Sequence, residues 1–475
     1  MELIASYQEM HSPNVDTMRL ASWLLDVALI AEQLPPKYES MEARLDQRER
    51  QKWLSNAISE AVDITILVHD ILTGSIHGLS VFIQFIRLEM GRGNIRKAWL
   101  KLRHAIAIAE IMGLHNMVHI AKPRTATEAV DKAHISKLRL WNVICAADRL
   151  LGMILGLPPA TSRYQQAIPH SVSVNGVVQT QVYLCRLTDI VHKIQHLDHL
   201  SLSDVSRPEC YTLVSELSRE LKTLASQTPE SWWLGSARGT HNVHPDDIVQ
   251  FLHYYITMRA HLPLALRPGP GGENTFSCLA CVEACESMLQ RYQFLSRRLP
   301  RGLFISEMLD LQAFSAAVIL LLMSHMSSVR FLGVGIDRIK ISNEVRQVIE
   351  LLHEKSDTFP SSENTRNSFT TLCSLDTFIR GTEGSVDLRQ IDCHAPLLGK
   401  VQITRNGHPS QAGIHWSPQM LPALCLFNAS DQLPYLQFDA SMSMDPPFDT
   451  ENVQWARTAS STEGSSTEVS IHGLL

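Results

Sequence analysis

Charge is scarce in this chain: only 19% of its 475 residues are Asp, Glu, Lys or Arg. An ordinary globular protein carries roughly a quarter, so the shortage favours buried elements over long solvated helices. Positive charge is not in excess either, with 42 Lys and Arg against 48 Asp and Glu and a net charge of −6. A module that grips nucleic acid normally shows a basic face, so the chain as a whole does not advertise such binding and only a local basic patch is left open. The opening MELIASYQEMHSPNV lacks the basic n-region and apolar h-region of a secretory leader. The nine cysteines are odd in number and scattered, apart from Cys278, Cys281 and Cys285. Reduced thiols in a cytosolic or nuclear compartment are therefore expected. Uninterrupted apolar runs of membrane length are wanting too. Trp141 to Leu157 is broken by Asp148 and Arg149, and Ala313 to Met323 falls short of the ~20 residues a span needs. Both read as buried core helices, and no membrane association is expected.

The signatures of catalysis are also missing. There is no Gly-x-Ser-x-Gly elbow and no phosphate-binding loop. Gly91-Arg92-Gly93 follows no strand and does not continue into a dinucleotide fingerprint. Asp246-Asp247 begins like a magnesium-binding Asp-Asp-x-x-Asp, but position 250 is Gln250. His115 and His119 are four apart, yet Gly113 ends the helix before them and no Glu stands beside either. His241 and His244 precede Pro245-Asp246-Asp247, which looks like a helix start. Cys278, Cys281, Cys285 and Met288 share one helical face with no obvious fourth zinc ligand, so they read as small buried hydrophobes. No metal, no cofactor and no enzyme activity are expected.

What is present is apolar spacing at helical period. It recurs over Met18–Ile30, Trp53–Leu72, Ile76–Met90, Ala133–Leu155, Thr180–Ile194, Pro208–Ser226, Pro245–Leu262, Phe276–Ser296, Glu307–Ser328 and Ser342–Lys355. Strand signals are almost absent before residue 380. The expectation is an all-α multi-helix bundle over residues 1–380, followed by a low-order tail over 381–475 rich in Gly, Pro and Ser. Within the tail, Asp431 to Trp455 carries five carboxylates and no Lys or Arg, interleaved with Leu433, Tyr435, Leu436, Phe438, Phe448 and Trp455. Acidic–hydrophobic alternation is the composition of disordered activation segments; a tail that packs loosely on the body is the other reading.

One helix is especially legible. In GNIRKAWLKLRHAIAIAEIMGLHN, which starts at Gly93, residues Ile95, Trp99, Leu102, Ile106 and Ala109 fall on one stripe. Ala98 and Ala105 widen that stripe and allow close approach by a neighbour. Asn94 is placed to cap the helix. Gly113 suits a left-handed position after its end, with Leu114 folding back onto the last turn. Asp148-Arg149, inside an apolar helix, should be paired, because unpaired buried charge is costly. Ion bridges to neighbouring helices, with Arg139 a candidate partner, are favoured over a polar spot lining an effector cavity.

These residues resemble the fungal-specific transcription factor domain, the helical middle homology region of zinc binuclear cluster regulators. Gly93, Trp99, Gly113, Leu114 and His115 carry one block of the resemblance. Arg139, Trp141, Asp148, Arg149, Gly156 and Pro158 carry a second, and the densest part lies within residues 76–160. The chain has Trp141-Asn142 where the family often has two Trp, and Gly156-Leu157-Pro158 where it often has Gly-Arg-Pro. The resemblance implies a nuclear transcriptional regulator of a metabolic or secondary-metabolite pathway. It also implies contacts with transcription machinery or co-regulators, a homo- or heterodimer, and a small-molecule effector. Full-length members begin with six cysteines holding two zinc ions. The first cysteine here is Cys145, so zinc is expected only in a relative carrying that cluster, and DNA contact only through a partner or a module missing from this sequence. Two alternatives remain. One is a helical scaffold, since Gly93-Asn94, Ala98 and Ala105-Ile106 also resemble a tetratricopeptide helix; no second copy recurs near 34 residues. The other is an all-α enzyme with a dispersed site.

Overall fold

The computed structural model describes residues 7–34, 41–117, 128–164, 166, 168, 171–201, 207–234, 243–266, 274–299, 302–330, 337–358, 363–380, 390–395, 399–404 and 415–416. The fold is all-α. Helices α1 (Thr17–Gln33), α2 (Met41–Thr65), a single turn α3 (Asp70–Thr73), α4 (Ile76–Gly91), α5 (Ile95–Ile111) and α6 (Glu128–Leu155) form the first half. A 3₁₀ turn follows α5 at Leu114–Asn116, and another follows α6 at Ala160–Arg163. The second half comprises α7 (Thr180–Ser201), α8 (Arg207–Ser226), the short α9 (Glu230–Trp233), α10 (Pro245–Ala265), α11 (Thr275–Arg298), α12 (Ser306–Arg330), α13 (Arg338–Thr358) and α14 (Glu363–Arg380).

Local chemistry sets the starts of these helices. Asp16 accepts from the Arg19 N–H at 2.9 Å to cap α1, and Ser75 accepts from Gly78 at 2.9 Å to cap α4. At the head of α10 the Asp247 carboxylate accepts from the His244 N–H at 2.9 Å, with Pro245 in the first turn. Packing follows chain order: α4 lies on α5 and α1, α6 on α7, α7 on α8, and α10 on α11, which packs on α12 and α13. One continuous apolar core runs from Met18 to Phe378, which is why a chain this long builds layers around a shared interior. Ser306–Ser324 within α12 is long and apolar enough to cross a membrane, so the Ala313–Met323 run belongs to a longer apolar window than its sequence suggested. Its buried side chains make it the central core helix of the second half.

Two glycines hold the halves together. A Cβ on Gly91 would sit 2.2 Å from the Gly302 carbonyl oxygen, so only glycine lets these backbones touch. Gly302 has φ +66°, and a Cβ there would meet the Glu32 side chain at 2.7 Å. The end of α4, the approach to α12 and the end of α1 therefore meet at one corner.

A few short strands accompany the helices. A two-residue hairpin pairs β1 (Ser173–Val174) with β2 (Val177–Val178) through Asn175 and Gly176, both at positive φ. Within residues 381–475, β3 (Gln390–Ala395), β4 (Gly399–Thr404) and β5 (His415–Trp416) form an antiparallel meander. Its first strand packs on α14 and α12. Composition over that stretch is dominated by the Gly, Pro and Ser around the strands, which masked the short Ile391/Cys393 and Val401/Ile403 alternations. The segment Asp431–Trp455, with Tyr435, Phe438, Phe448 and Trp455, lies outside the described residues.

Candidate functional site

The two sequence blocks come together around α5, α6 and the connection that follows α6. At the α4–α5 turn, Gly93 has φ +79° and the Asn94 N–H bonds the Glu89 carbonyl at 2.8 Å. Asn94 does not cap α5 with its side chain, contrary to expectation. Its amide turns back instead and donates to Glu89 Oε2 at 2.8 Å. Glu89 is fully buried and was not singled out by sequence. Its Oε1 accepts from Ser59 at 2.5 Å and from Arg92 at 2.9 Å, with Lys97 at 3.7 Å. A buried carboxylate is tolerable only when its lone pairs are met in this way. Arg92 also faces Glu32 at 3.7 Å, which ties the turn to α1.

The far end of α5 is closed by Gly113 at φ +72°, where an added Cβ would meet nothing within 4 Å, so backbone conformation alone demands glycine. Leu114 is buried just beyond it. His115 then packs against Tyr164 at 5.0 Å and Trp141 at 6.3 Å, and Trp141 meets Tyr164 edge-on at 5.5 Å. Trp141 is fully buried. Such aromatic contacts add to area burial, and here they fasten α6 to both ends of its surroundings. Trp99 is half-buried, with the Arg103 guanidinium over its ring at 4.7 Å.

Asp148 and Arg149 both grip the connection after α6. Gly156, at φ +65°, and Pro158 turn the chain back along the helix. Asp148 Oδ2 accepts from both the N–H and the hydroxyl of Thr161, each at 2.8 Å. Burial raises the Asp148 pKa, and the Thr161 bonds oppose that rise. Arg103 approaches Oδ1 at 3.9 Å and donates to the Pro158 carbonyl. Arg149, also buried, donates to Asp189 of α7 at 3.0 Å and to the Tyr164 carbonyl at 3.2 Å. The outer rim is closed by Glu110, which accepts from Arg163 at 3.1 Å and Tyr164 at 2.8 Å. Arg139 stands apart: it is solvent-exposed, about 13 Å up the helix from Asp148. The neighbouring-helix partners are Asp189 and Arg103.

A second polar cluster lies in the other half. The Tyr183 hydroxyl meets His253 Nδ1 at 2.9 Å inside a ring of Trp232, Trp233 and Tyr254. Burial pushes His253 down to about 3 and Tyr183 upward. Arg291 covers Tyr254 at 4.5 Å and donates to the Trp233 carbonyl at 3.2 Å. Asp246 accepts from Thr180 at 2.5 Å and Gln250 donates to the Trp232 carbonyl at 2.7 Å, so this acidic pair and its follower serve as local ties. Cys278, Cys281 and Cys285 are buried thiols on the same helix as Met288, and the Cys278 thiol donates to the Ala265 carbonyl at 3.4 Å. Burial also pushes Cys145 up to about 12, which makes it an unreactive thiol. Among the described residues no group of three or more His, Cys, Asp or Glu is arranged to hold a metal ion. The assembled groups can position backbone and bear charge; they do not set a nucleophile against a base.

Comparison with known proteins gives relatives of one kind. The chain is 25% identical over 336 residues to the dehydrocurvularin biosynthesis regulator of Aspergillus terreus, covering 67% of this chain and 43% of that protein. It is 27% identical over 330 residues to the regulator of the same name from Alternaria cinerariae, covering 66% and 41%. It is 28% identical over 271 residues to the transcription factor eupR of a Phoma species, covering 54% and 55%. The chain is similar to fungal transcription regulators. It spans less than half the length of the two biosynthesis regulators. No family model matches it, and no solved structure matches.

Proposed function

We propose that this chain supplies the helical regulatory body of a fungal transcriptional regulator that controls a biosynthetic pathway. The observation that carries the reading is the similarity, over two thirds of the chain, to two regulators of dehydrocurvularin biosynthesis. The geometry is in keeping with it. The residues of both sequence blocks are spent on fixing turns and helix ends, which suits a body that transmits contacts rather than one that converts a substrate. Under this reading the protein acts in the nucleus alongside co-regulators or transcription machinery, alone or as a homo- or heterodimer, and answers to a small-molecule effector. DNA contact comes through a partner or through a zinc-cluster module supplied elsewhere. Asp431–Trp455 serves as the acidic activation segment.

Two experiments test this. Deleting the gene and profiling transcripts should silence a coherent set of biosynthetic genes; an unchanged profile under producing conditions refutes the regulator reading. Fusing residues 425–475 to a foreign DNA-binding domain should activate a reporter, and silence of the reporter removes the activation role from the tail.

A further inference from the structure

Helix α4 carries one residue that its apolar pattern does not explain. Phe85, Ile86 and Leu88 are buried, and Arg87 stands among them. Ile83, Arg87 and Gly91 are spaced by four, so they share one face of the helix. That face is turned to the loop ahead of α12, where Gly91 touches the Gly302 carbonyl. The Arg87 guanidinium carbon lies over the Phe304 ring, 5.6 Å from its centroid, and Phe304 itself is buried. The Arg87 Nε is shut off from solvent and meets no acceptor among the described residues.

Other desolvated arginines of this fold are paired. Arg149 meets Asp189 at 3.0 Å and Arg259 meets Asp198 at 2.8 Å. Burial also lowers the Arg291 pKa, but Tyr254 and Asp247 pull it back. Burial takes Arg87 down to about 10, and no charge on the protein opposes that fall. The carboxylates of the same corner, Glu32 and Glu89, are turned to Arg92. An unpaired desolvated cation is costly, and a contact with one ring offsets only part of that cost. The ring contact also leaves the N–H fork of the guanidinium to be filled, and a carboxylate or phosphate fits such a fork bidentately. Further donors lie beside it. A Cβ on Gly91 would sit 3.3 Å from the Phe304 nitrogen, so that amide adjoins the Arg87 face. The Leu303 and Phe304 N–H groups have no backbone acceptor among the described residues.

We propose that Arg87, with the adjoining N–H groups of the loop at 302–304, receives the anionic head of a small molecule, a carboxylate or a phosphate. An anion held there bridges α4 and the approach to α12, the two stretches that already touch at Gly91 and Gly302. Its binding therefore tightens the contact between the two halves of the bundle. The inference does not rest on the regulator reading, because binding is measured on the protein alone, whether or not any gene responds.

The test measures thermal midpoints of the full chain in sodium phosphate and, separately, in sodium acetate, with ionic strength held constant by sodium chloride. At least one of the two anions should raise the midpoint along a saturating curve. A response to phosphate alone identifies a phosphate head, and a response to acetate alone a carboxylate. Arg87→Met should weaken that binding by about tenfold or more, and Arg87→Gln, a second neutral variant, should do the same. Arg87→Lys keeps the charge and loses the fork, so its response should fall between. In chloride alone Arg87→Met should raise the urea midpoint, because it fills similar space without burying a cation. No saturating response to either anion, or an undiminished response in both neutral variants, would overturn the proposal. So would a lowered urea midpoint for Arg87→Met in chloride, which would mean that the guanidinium is already served within the fold.

Discussion

Replacing Glu89 by Ala should be among the most damaging single changes to this fold. The carboxylate is fully buried and takes hydrogen bonds from Ser59 at 2.5 Å, Arg92 at 2.9 Å and Asn94 at 2.8 Å. Removing it leaves the buried Ser59 hydroxyl and the Arg92 guanidinium, whose side chain is 15% exposed, without their main acceptor. Breaking a buried charge pair by deleting one partner costs about 3–5 kcal/mol. Lys97 adds little to that figure, because at 3.7 Å and 40% exposure its charge is well screened. Glu89→Gln keeps the shape but puts an NH₂ group opposite either Asn94 or the Ser59 and Arg92 donors. It should cost about 1–3 kcal/mol. Urea unfolding of both variants reads these values, and a cycle with Arg92→Gln should give a coupling of about 1–2 kcal/mol. Because the carboxylate is shielded from solvent, the loss should persist in high salt. A Glu89→Ala protein within about 0.5 kcal/mol of the parent, the range of ordinary surface changes, would refute the assignment of Glu89 as the hub of the α4–α5 turn.

Other expectations follow the same geometry. Asp148→Ala should lower the thermal midpoint through about 2–4 kcal/mol of lost bonds to Thr161, reduced in part because the buried carboxylate is itself poorly solvated; an unchanged midpoint would contradict the structural role. Gly91→Ala should destabilise by at least about 1–3 kcal/mol, since its Cβ would press on the Gly302 backbone at 2.2 Å, and urea midpoints measure it. Acid should weaken the fold early. His253 is held down to about 3 and His261 to about 4, so between the ordinary 6.5 and these values the unfolded chain binds protons that the folded chain refuses. Their contribution is complete above pH 6.5 and drains as pH falls, at up to about 1.4 kcal/mol per pH unit for each. Asp148, Asp247 and Glu344, whose pKa values are raised by burial, work in the opposite sense at the acid end. Urea midpoints from pH 7 to pH 5 should therefore decline, and His253→Gln should flatten the slope.

The helices were readable because each carries its own apolar period, and Gly113 and Gly156 were readable because a helix end asks for a left-handed residue. Trp141 and the Asp148-Arg149 pair stood out for a similar reason: a large ring or a charge inside an apolar stretch demands an explanation wherever it lies. Glu89 did not stand out. A lone carboxylate near a helix end looks like surface, and its three donors, Ser59, Arg92 and Asn94, with the charge of Lys97 nearby, come from three different elements. Asn94 misled for the same reason, since its local geometry offers a cap and a more distant carboxylate outcompetes it. The polar first half of α2 has no apolar rhythm, so its helix shows only once it is carried forward from Met41. The β3–β4 pairing is likewise a long-range hydrogen-bonding event that local composition does not announce.

The corner where Gly91 meets Gly302, with Glu32 pressed against Gly302, bears on how this polypeptide can be cut. Three stretches far apart in the chain share that spot without a side chain to spare. A fragment that begins after α1 would leave Arg92 short of one carboxylate, and one that stops before Gly302 would strip the lid from bare backbone. Pieces chosen from the two signature blocks alone should come out of the cell as aggregates, whereas any expressible unit has to run unbroken from α1 through the loop at Gly302.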